Sequence, residues 1–430
     1  MNVTQKPRLH QDWIDPHAVG IVRALQKAGF TTYLVGGCVR DLLLGIHPKD
    51  FDIATTAKPD QVKRVIHRAY VIGKRFRLVL VRREEAQFEV ATFRRELREE
   101  EKGEEAPSGD NVFGTPEEDA RRRDFTINAL FYDPIADQLI DHADGLADLE
   151  ARWVRMIGDP STRLVEDPIR ILRALRLKHM IGFALEPGLR RAIVESAHTL
   201  PTTALPRRRE EILKLLRLHH PDLAFREAHD LGVLKWLSPN LDVALAGEAC
   251  EDLYAGLRQI GEYGVANLNP AELFGLLVHA YVRACVQPDP SAGTRAREIL
   301  EDEAFQTWMR DELGMFKFEQ ALAVKALHVE PLLARRKEFQ KRGERRQRAL
   351  VTNDAFPLAL RYAERDHCLP CEDFLYWQQK YTTLREQNPL TNIRHKRRRP
   401  RRPRRNGPNA KAAEDSGANA SSTDKSEARS

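Results

Sequence analysis

The chain has 430 residues, of which 42% are hydrophobic, so it can bury sizeable cores in two to four structural units. No apolar run reaches the roughly 18 residues of a membrane-spanning helix, the opening MNVTQKPRLHQDW lacks the apolar stretch of a secretory signal, and five scattered cysteines cannot make a disulfide framework. A cytoplasmic protein without a membrane partner is expected, and its net charge of +6 conceals a near-neutral body, because nine Lys/Arg fall within residues 394–405 alone.

In chain order, Ala18, Ile21, Val22, Leu25 and Ala28 mark one stripe of a helix over 15–29, which Gly29 ends. A short strand at 31–35 runs into Gly36-Gly37, and a helix follows over 39–44, opened by Val39, Arg40 and Asp41. The next strand, 50–54, carries Asp50 and Asp52. Side chains alternate along a strand, so both carboxylates share a face. They repel each other unless a cation lies between them, and an all-oxygen site of this kind suits Mg²⁺, which also takes substrate phosphates. The glycine turn places free backbone N–H groups nearby for phosphate. Metal ions clamped in this way drive in-line displacement at phosphorus. An edge strand with two solvated aspartates has the same local pattern.

VGGCVRDLLLG (35–45) followed by KDFDIATTA (49–57) resembles the head of the class II polynucleotide nucleotidyltransferases, the family of bacterial poly(A) polymerases and CCA-adding enzymes. Beyond it, KPDQVKRVIHRA reads as a helix with Pro59 in its first turn and Val62, Val65 and Ile66 inward. Strands are expected at 70–73, 77–82 and 87–92, which makes the block mixed α/β with an open, largely antiparallel sheet. Glu89, in FEVATFR, supplies a third carboxylate that either completes a metal site or orients an attacking hydroxyl. Spacing alone also allows a surface residue; the resemblance favours the site, since an EVATFR segment stands there in the family. Residues 95–118, rich in Glu, Gly and Pro, read as a flexible excursion.

RRRDFTINALFYD (121–133) reads as the start of an apolar helix, with Asn128 four residues past Asp124 on the same face. A guanidinium here can grip triphosphate oxygens; a helix capped by Asp124, with its arginines in solvent, explains the same residues. RRDFTIN (122–128) resembles the family's second signature, which implies that Arg123 touches the nucleotide and Asp124 belongs to the active centre. EDPIRILRALRLKHMIGF (166–183) reads as a helix with Asp167, Arg170, Arg173 and Arg176 spaced by three. It asks for an anionic partner, or for a base edge read by Asp167 and Arg170; ordinary charge pairing is the plain alternative. The segment resembles the family's EDxxR helix, which implies base selection by Asp167 and Arg170 and phosphate binding by Arg173 and Arg176. Arg207 with Glu210 and Glu211 resembles a further element that supports that helix.

From residue 187 the pattern is helical almost throughout, with a break at Pro221 and amphipathic stretches at 245–285, 294–312, 316–335 and 354–384. Cys368 and Cys371 form one CxxC beside His367; zinc needs about four ligands, so two reduced thiols are expected instead. In the tail, 406–430 holds three bases and four acids, which leaves −2 for the first 393 residues. RHKRRRPRRPRR (394–405) cannot fold on itself and suits a polyanion; a tail that only aids solubility fits too. Residues 406–430 are expected to be disordered.

The expected architecture is α+β: a nucleotidyltransferase head (1–150), a helical neck (151–245), a helical body and tail that bind RNA (246–390), and a disordered Arg-rich end (391–430). The catalytic set is Asp50, Asp52, Glu89 and Asp124, with Asp50 and Asp52 holding Mg²⁺. Nucleotide binding falls to Gly36, Gly37, Arg40, Arg123, Asn128, Asp167, Arg170, Arg173 and Arg176, and RNA binding to Arg397, Arg398, Arg399, Arg401 and Arg402. VIGKRFRLVLV (71–81) and DNVFGTPEEDARRRDFTIN (110–128) resemble the poly(A) polymerase subgroup, except that Leu80 stands where its pattern has His. The resemblance implies a template-independent poly(A) polymerase that adds AMP from ATP to RNA 3′ ends in mRNA processing and decay, with RNA-decay proteins as a further class of partner. A CCA-adding enzyme and an inert RNA-binding adaptor are the alternatives, and the intact carboxylates speak against the second.

Overall fold

In the computed structural model, which describes residues 2–5, 8–73, 78–84, 86–96, 112–262, 268–286 and 302–387, an eight-stranded sheet carries the N-terminal part. Its order is β1 (Asn2–Gln5), β8 (Gln138–Asp141), β7 (Leu130–Asp133), β2 (Thr32–Val35), β3 (Asp52–Thr55), β6 (Ala86–Thr92), β5 (Leu78–Arg83) and β4 (Ala69–Ile72). Only β3 and β6 run parallel; every other pair is antiparallel, as expected of this block.

Local chemistry places the first helices. In α1 (Pro16–Lys27), Asp15 caps the start by accepting the His17 N–H at 2.7 Å, and Ala18, Ile21, Val22 and Leu25 are buried. Gly36, at φ +79°, allows the abrupt turn from β2 into α2 (Gly37–Leu43). Helix α3 (Pro59–Val65) buries Val62 and packs under β4, β5 and β6. A core cluster joins Val35, Ala54, Phe93, Ala120, Ala129, Phe131 and Ile140, with Tyr33, Ala143 and Ile157 packed against it. Tyr33, Phe93 and Phe131 stand 6.1–6.2 Å apart in tilted or edge-on contact. Burying a phenylalanine of this kind contributes up to about 3 kcal/mol.

Two expected helices are corrected. Residues 121–133 do not open a helix. Helix α4 (Pro116–Arg121) ends there, closed at its start by a Thr115–Glu118 capping box. Thr126–Asn128 make a single 3₁₀ turn, and Leu130–Asp133 enter the sheet as β7 between β2 and β8. Sheet pairing on both sides overrides the helical spacing of that short apolar run, so Asp124 and Asn128 do not share a helical face. Likewise, beyond α5 (Gly145–Ala151), 166–183 falls in two helices, α6 (Pro160–Glu166) and α7 (Arg170–Ile181). Asp167 precedes Pro168, whose ring disfavours the helical conformation there; its backbone is extended, at φ −147° and ψ 88°.

After α7, β10 (Ala184–Leu185) pairs in parallel with β9 (Trp153–Val154), and the described elements that follow are helices. Helices α8 (Pro187–Ser196), α9 (Leu205–Leu216) and α10 (Pro221–Asp230) lead into longer ones at Cys250–Glu262, Pro270–Tyr281, Lys317–Leu333, Phe356–Arg365 and Cys371–Gln387. The expected divisions at 150 and 245 fall next to the ends of two helices, Gly145–Ala151 and Pro239–Ala246. Met1–Tyr381 form one compact unit; of the second, Thr382–Ser430, the described residues are the end of the last helix. Lys74 to Arg77 of the poly(A) polymerase-like strand, most of the 95–118 excursion, and the tail with Arg397, Arg398, Arg399, Arg401 and Arg402 lie outside the described residues. Among those described, no helix is long and apolar enough to cross a membrane.

Candidate active site

The central strands set the carboxylates at neighbouring positions. Asp50 lies just before β3 rather than in it, but the alternation continues: Asp50 exposed, Phe51 buried, Asp52 exposed, Ile53 buried. Both aspartates therefore share a side. The parallel pairing of β3 with β6 sets Asp52 opposite Glu89. Desolvation and the charges of Asp52 and Asp50 hold the Glu89 carboxyl above its ordinary range. Desolvation also raises Asp52, and Asp50 adds to it against the pull of Arg123. Accumulated negative charge on an all-oxygen donor set fits a hard divalent cation such as Mg²⁺, which Asp50 and Asp52 would hold with Glu89 beside them.

The other side of β3 carries the glycine turn. A Cβ on Gly36 would stand 3.1 Å from Arg123 Nη1, so the guanidinium lies directly over the bare backbone. Arg123 is aimed by Asp119, a residue the motif reading passed over. Asp119 is 1% exposed and accepts from Arg123 Nε and Nη2 at 3.1 and 3.0 Å, and from Arg122 Nε and Nη2 at 3.0 and 2.6 Å. It also accepts the Arg94 backbone N–H at 3.1 Å. Burial would push the Asp119 carboxyl up, but Arg123, Arg122 and these hydrogen bonds hold it below its ordinary range. The signal was present in the sequence, since Asp119 precedes Arg122 and Arg123 by three and four residues on a helix.

Arg40 and Asn128 are brought together, with Arg40 buried and Asn128 partly exposed. Arg40 is 5% exposed; its Nη1 donates to Asn128 Oδ1 at 2.5 Å and its Nη2 to Asp41 at 2.6 Å. The Asn128 carbonyl in turn accepts from Arg123 Nη1 at 3.2 Å. Arg40 thus braces the turn from within the fold, while Gly37 and Arg123 are partly exposed beside it.

Helices α7 and α9 supply the third wall. Asp124 accepts from Arg170 Nε at 2.9 Å and from Arg173 Nη1. Asp167 takes both hydrogen bonds of a bidentate pair from Arg207, each 2.9 Å. Asp167 and Arg170, expected to read one base edge together, therefore have different partners here. Arg176 Nε donates to Glu211 at 2.9 Å, and Lys214 reaches Glu211 at 2.9 Å. Burial would raise Glu211, but Arg176 and Lys214 bring it below its ordinary range. Glu211 thus pairs with α7 and Arg207 with Asp167 just before it, whereas Glu210 pairs with Arg209.

A second ligand-type cluster lies among the C-terminal helices. Among the described residues, only His279, Glu330 and Asp366 bring three possible ligand atoms within 4.8 Å of one another. Arg283 already fills that position, with Nη2 on Glu330 at 2.8 Å and Nε on Asp366, so its charge is answered by the protein. Cys368 Sγ donates to Glu330 at 3.7 Å, and Cys371 is exposed.

Residues 32–155 match the family described as Poly A polymerase head domain, and residues 182–245 match the one described as probable RNA and SrmB-binding site of polymerase A. Poly(A) polymerase I of Haemophilus influenzae is 42% identical over 233 residues, 52% of each chain. That of Salmonella typhi is 36% identical over 278 residues, 61% of this chain and 60% of its own. The CCA-adding enzyme of Bacillus licheniformis is 37% identical over 225 residues, 52% of this chain and 56% of its own. The matched chain thus spans about half to three fifths of these curated relatives. Among solved structures, the Bacillus stearothermophilus CCA-adding enzyme with CTP superposes with a TM-score of 0.53 at 23% identity, over 87% of this chain and all of its own. The Thermotoga maritima CCA-adding enzyme complexed with tRNA superposes at 0.56 and 21%, over 89% of this chain and 87% of that one. Identity at that level establishes a shared fold.

Proposed function

We propose that the protein, whose residues 32–155 match the Poly A polymerase head-domain family, is a template-independent poly(A) polymerase, which adds AMP from ATP to RNA 3′ ends. The observation that carries the reading is the Asp52–Glu89 register, with Asp50 on the same side and Gly36 and Arg123 across β3. Relatives named Poly(A) polymerase I, 36–42% identical, support ATP as the nucleotide. The expected division of labour follows, with residues 1–150 catalytic, 151–245 selecting the nucleotide, 246–390 guiding RNA and the arginines of 391–430 holding it. The setting is cytoplasmic mRNA processing and decay, with RNA-decay proteins as further partners.

In the proposed reaction the RNA 3′ oxygen forms a bond to the α-phosphorus, the bond from that phosphorus to the pyrophosphate oxygen breaks, and pyrophosphate leaves. The Gly36-Gly37 backbone and Arg123 take the triphosphate oxygens, with Asp119 fixing the guanidinium in advance. Glu89 faces the incoming hydroxyl; its raised carboxyl pKa suits it to orient that group and accept its proton. Asp50 and Asp52 would hold Mg²⁺, which when bound would neutralise charge at the phosphoryl group and lower the pKa of the hydroxyl. Arg207 holds Asp167 and Glu211 holds α7, so that Asp167 and Arg170 border the base.

Primer extension tests this directly. Purified protein, Mg²⁺ and one nucleoside triphosphate at a time are offered to oligo(A) RNA and to a tRNA lacking its CCA end. A long ladder with ATP alone on oligo(A) is expected. Addition confined to C, C and A on the tRNA overturns the reading in favour of a CCA-adding enzyme, and no extension of either favours an inert adaptor.

A further inference from the structure

The sheet face that carries the carboxylates does not stop at Glu89. Across β5 and β4 the register partner of Glu89 is Leu80, and the partner of Leu80 is Tyr70. Paired residues point to the same side, so Asp52, Glu89, Leu80 and Tyr70 form one row across four strands. The next row joins Leu78 to Ile72. The opposite face of these strands is closed: Val79, Val81, Phe88 and Val90 are buried there against α3. The carboxylate face is open, with Tyr70 52% and Ile72 39% exposed. Arg82, two residues past Leu80 and so on the same side, stands 5.7 Å from the centre of the Tyr70 ring.

Exposed apolar side chains at a sheet edge normally invite another strand. Here they adjoin a catalytic row, and the chemistry of that row says what comes next to it. An in-line displacement keeps nucleophile and leaving group on opposite sides of the phosphorus. The triphosphate groups, Gly36 and Arg123, lie on the β2 side of Asp52, so pyrophosphate departs that way. The attacking 3′ hydroxyl must then come from the β6 side, over Glu89. The nucleotide that bears it lies over β6, β5 and β4, where the protein offers an aromatic ring, two leucines, an isoleucine and an arginine. Bases stack on such surfaces irrespective of sequence, and a neighbouring guanidinium answers the phosphates.

We propose that Tyr70, Leu80 and Ile72, with Arg82, form the platform on which the terminal bases of the single-stranded RNA primer stack. Leu80, where the subgroup pattern has His, is then part of the primer site and not only of strand packing. The proposal rests on the polymerase reading above.

The test uses the full chain with Mg²⁺, ATP and oligo(A). Tyr70→Ala raises KM for oligo(A) about 5- to 100-fold, the range of one lost base stack, while KM for ATP and kcat at saturating primer stay at wild-type values. Tyr70→Phe and Tyr70→Trp keep the ring and stay within about twofold. In Tyr70→Trp, oligo(A) changes the added indole fluorescence and ATP alone does not. If the wild type extends RNA and Tyr70→Ala leaves KM for oligo(A) unchanged, the platform is refuted. Equal shifts in both KM values, or loss of a self-associated form on sedimentation, refute it too, in favour of a structural role or a second copy of the chain as occupant. If the wild type extends nothing, the polymerase reading itself has failed, and the fluorescence change still decides whether RNA lies on this face.

Discussion

Replacing Asp119 by alanine removes the carboxylate that holds Arg122 and Arg123. It accepts five hydrogen bonds, four from two guanidinium groups and one from the Arg94 amide. Losing one partner of a fully buried ion pair costs about 3–5 kcal/mol, mostly for the charge left behind. Here the side chains of Arg122 and Arg123 are 32% and 21% exposed and can rehydrate in part, which reduces the expected cost to about 2–3 kcal/mol. Arg123 then loses its aim over Gly36, and KM for ATP rises about tenfold while KM for oligo(A) holds. Thermal unfolding and initial rates read the two effects separately. The pH dependence gives a third reading. The Asp119 carboxyl is held below its ordinary value, so its contribution is present above about pH 4 and is lost as pH falls through the folded-state pKa. The gap in stability between wild type and Asp119→Asn therefore narrows in acid. A variant within about 0.5 kcal/mol of wild type, with unchanged KM for ATP, refutes the idea that Asp119 holds the nucleotide arginine in place.

Asp52→Asn abolishes extension by at least about 100-fold, the value of some 3 kcal/mol of lost phosphoryl stabilisation. The same variant melts higher at pH 7: the folded-state pKa of Asp52 is raised, so its ionisation above about pH 4 weakens the wild type, and the amide escapes that penalty. An unchanged or lower melting temperature contradicts the electrostatic account. Arg207→Ala releases Asp167 from its bidentate clamp and erodes the preference for ATP over CTP, read as the ratio of kcat/KM values; an unaltered ratio shows that the clamp does not shape the base pocket. Deleting 394–430 weakens RNA binding and flattens its salt dependence while sparing ATP affinity; an unchanged salt slope counts against the arginines as an RNA arm.

The parts of the site that were legible in the sequence are those encoded within a few residues. Gly36-Gly37, the Asp50–Asp52 alternation and Glu89 at the centre of an EVATFR strand each follow from turn chemistry or a period of two. That Asp52 and Glu89 lie side by side needs the parallel β3–β6 pairing, which no local pattern announces. The hairpin of β7 and β8 was hidden because Leu130 to Tyr132 is too short an apolar run to distinguish helix from strand. The destinations of the α7 arginines were equally out of reach. Arg170 and Arg173 find Asp124 at separations of 46 and 49 residues, and helical spacing says only that they want an anion. Asp119 shows the opposite case, a helix-spaced acid overlooked beside a more conspicuous arginine run.

The grip of α7 on Asp124 bears on the order in which a nascent chain acquires its activity. As residues 32–155 leave the ribosome, β2, β3 and β6 can align the carboxylates. At that stage Asp124 has no Arg170 or Arg173, β9 has no β10, and the arginines of α7 still await Glu211. These contacts are complete only when α9 has emerged, more than fifty residues after the end of the head-domain match at 155. Under the proposed function, addition to RNA ends would begin only once the chain extends well past its head.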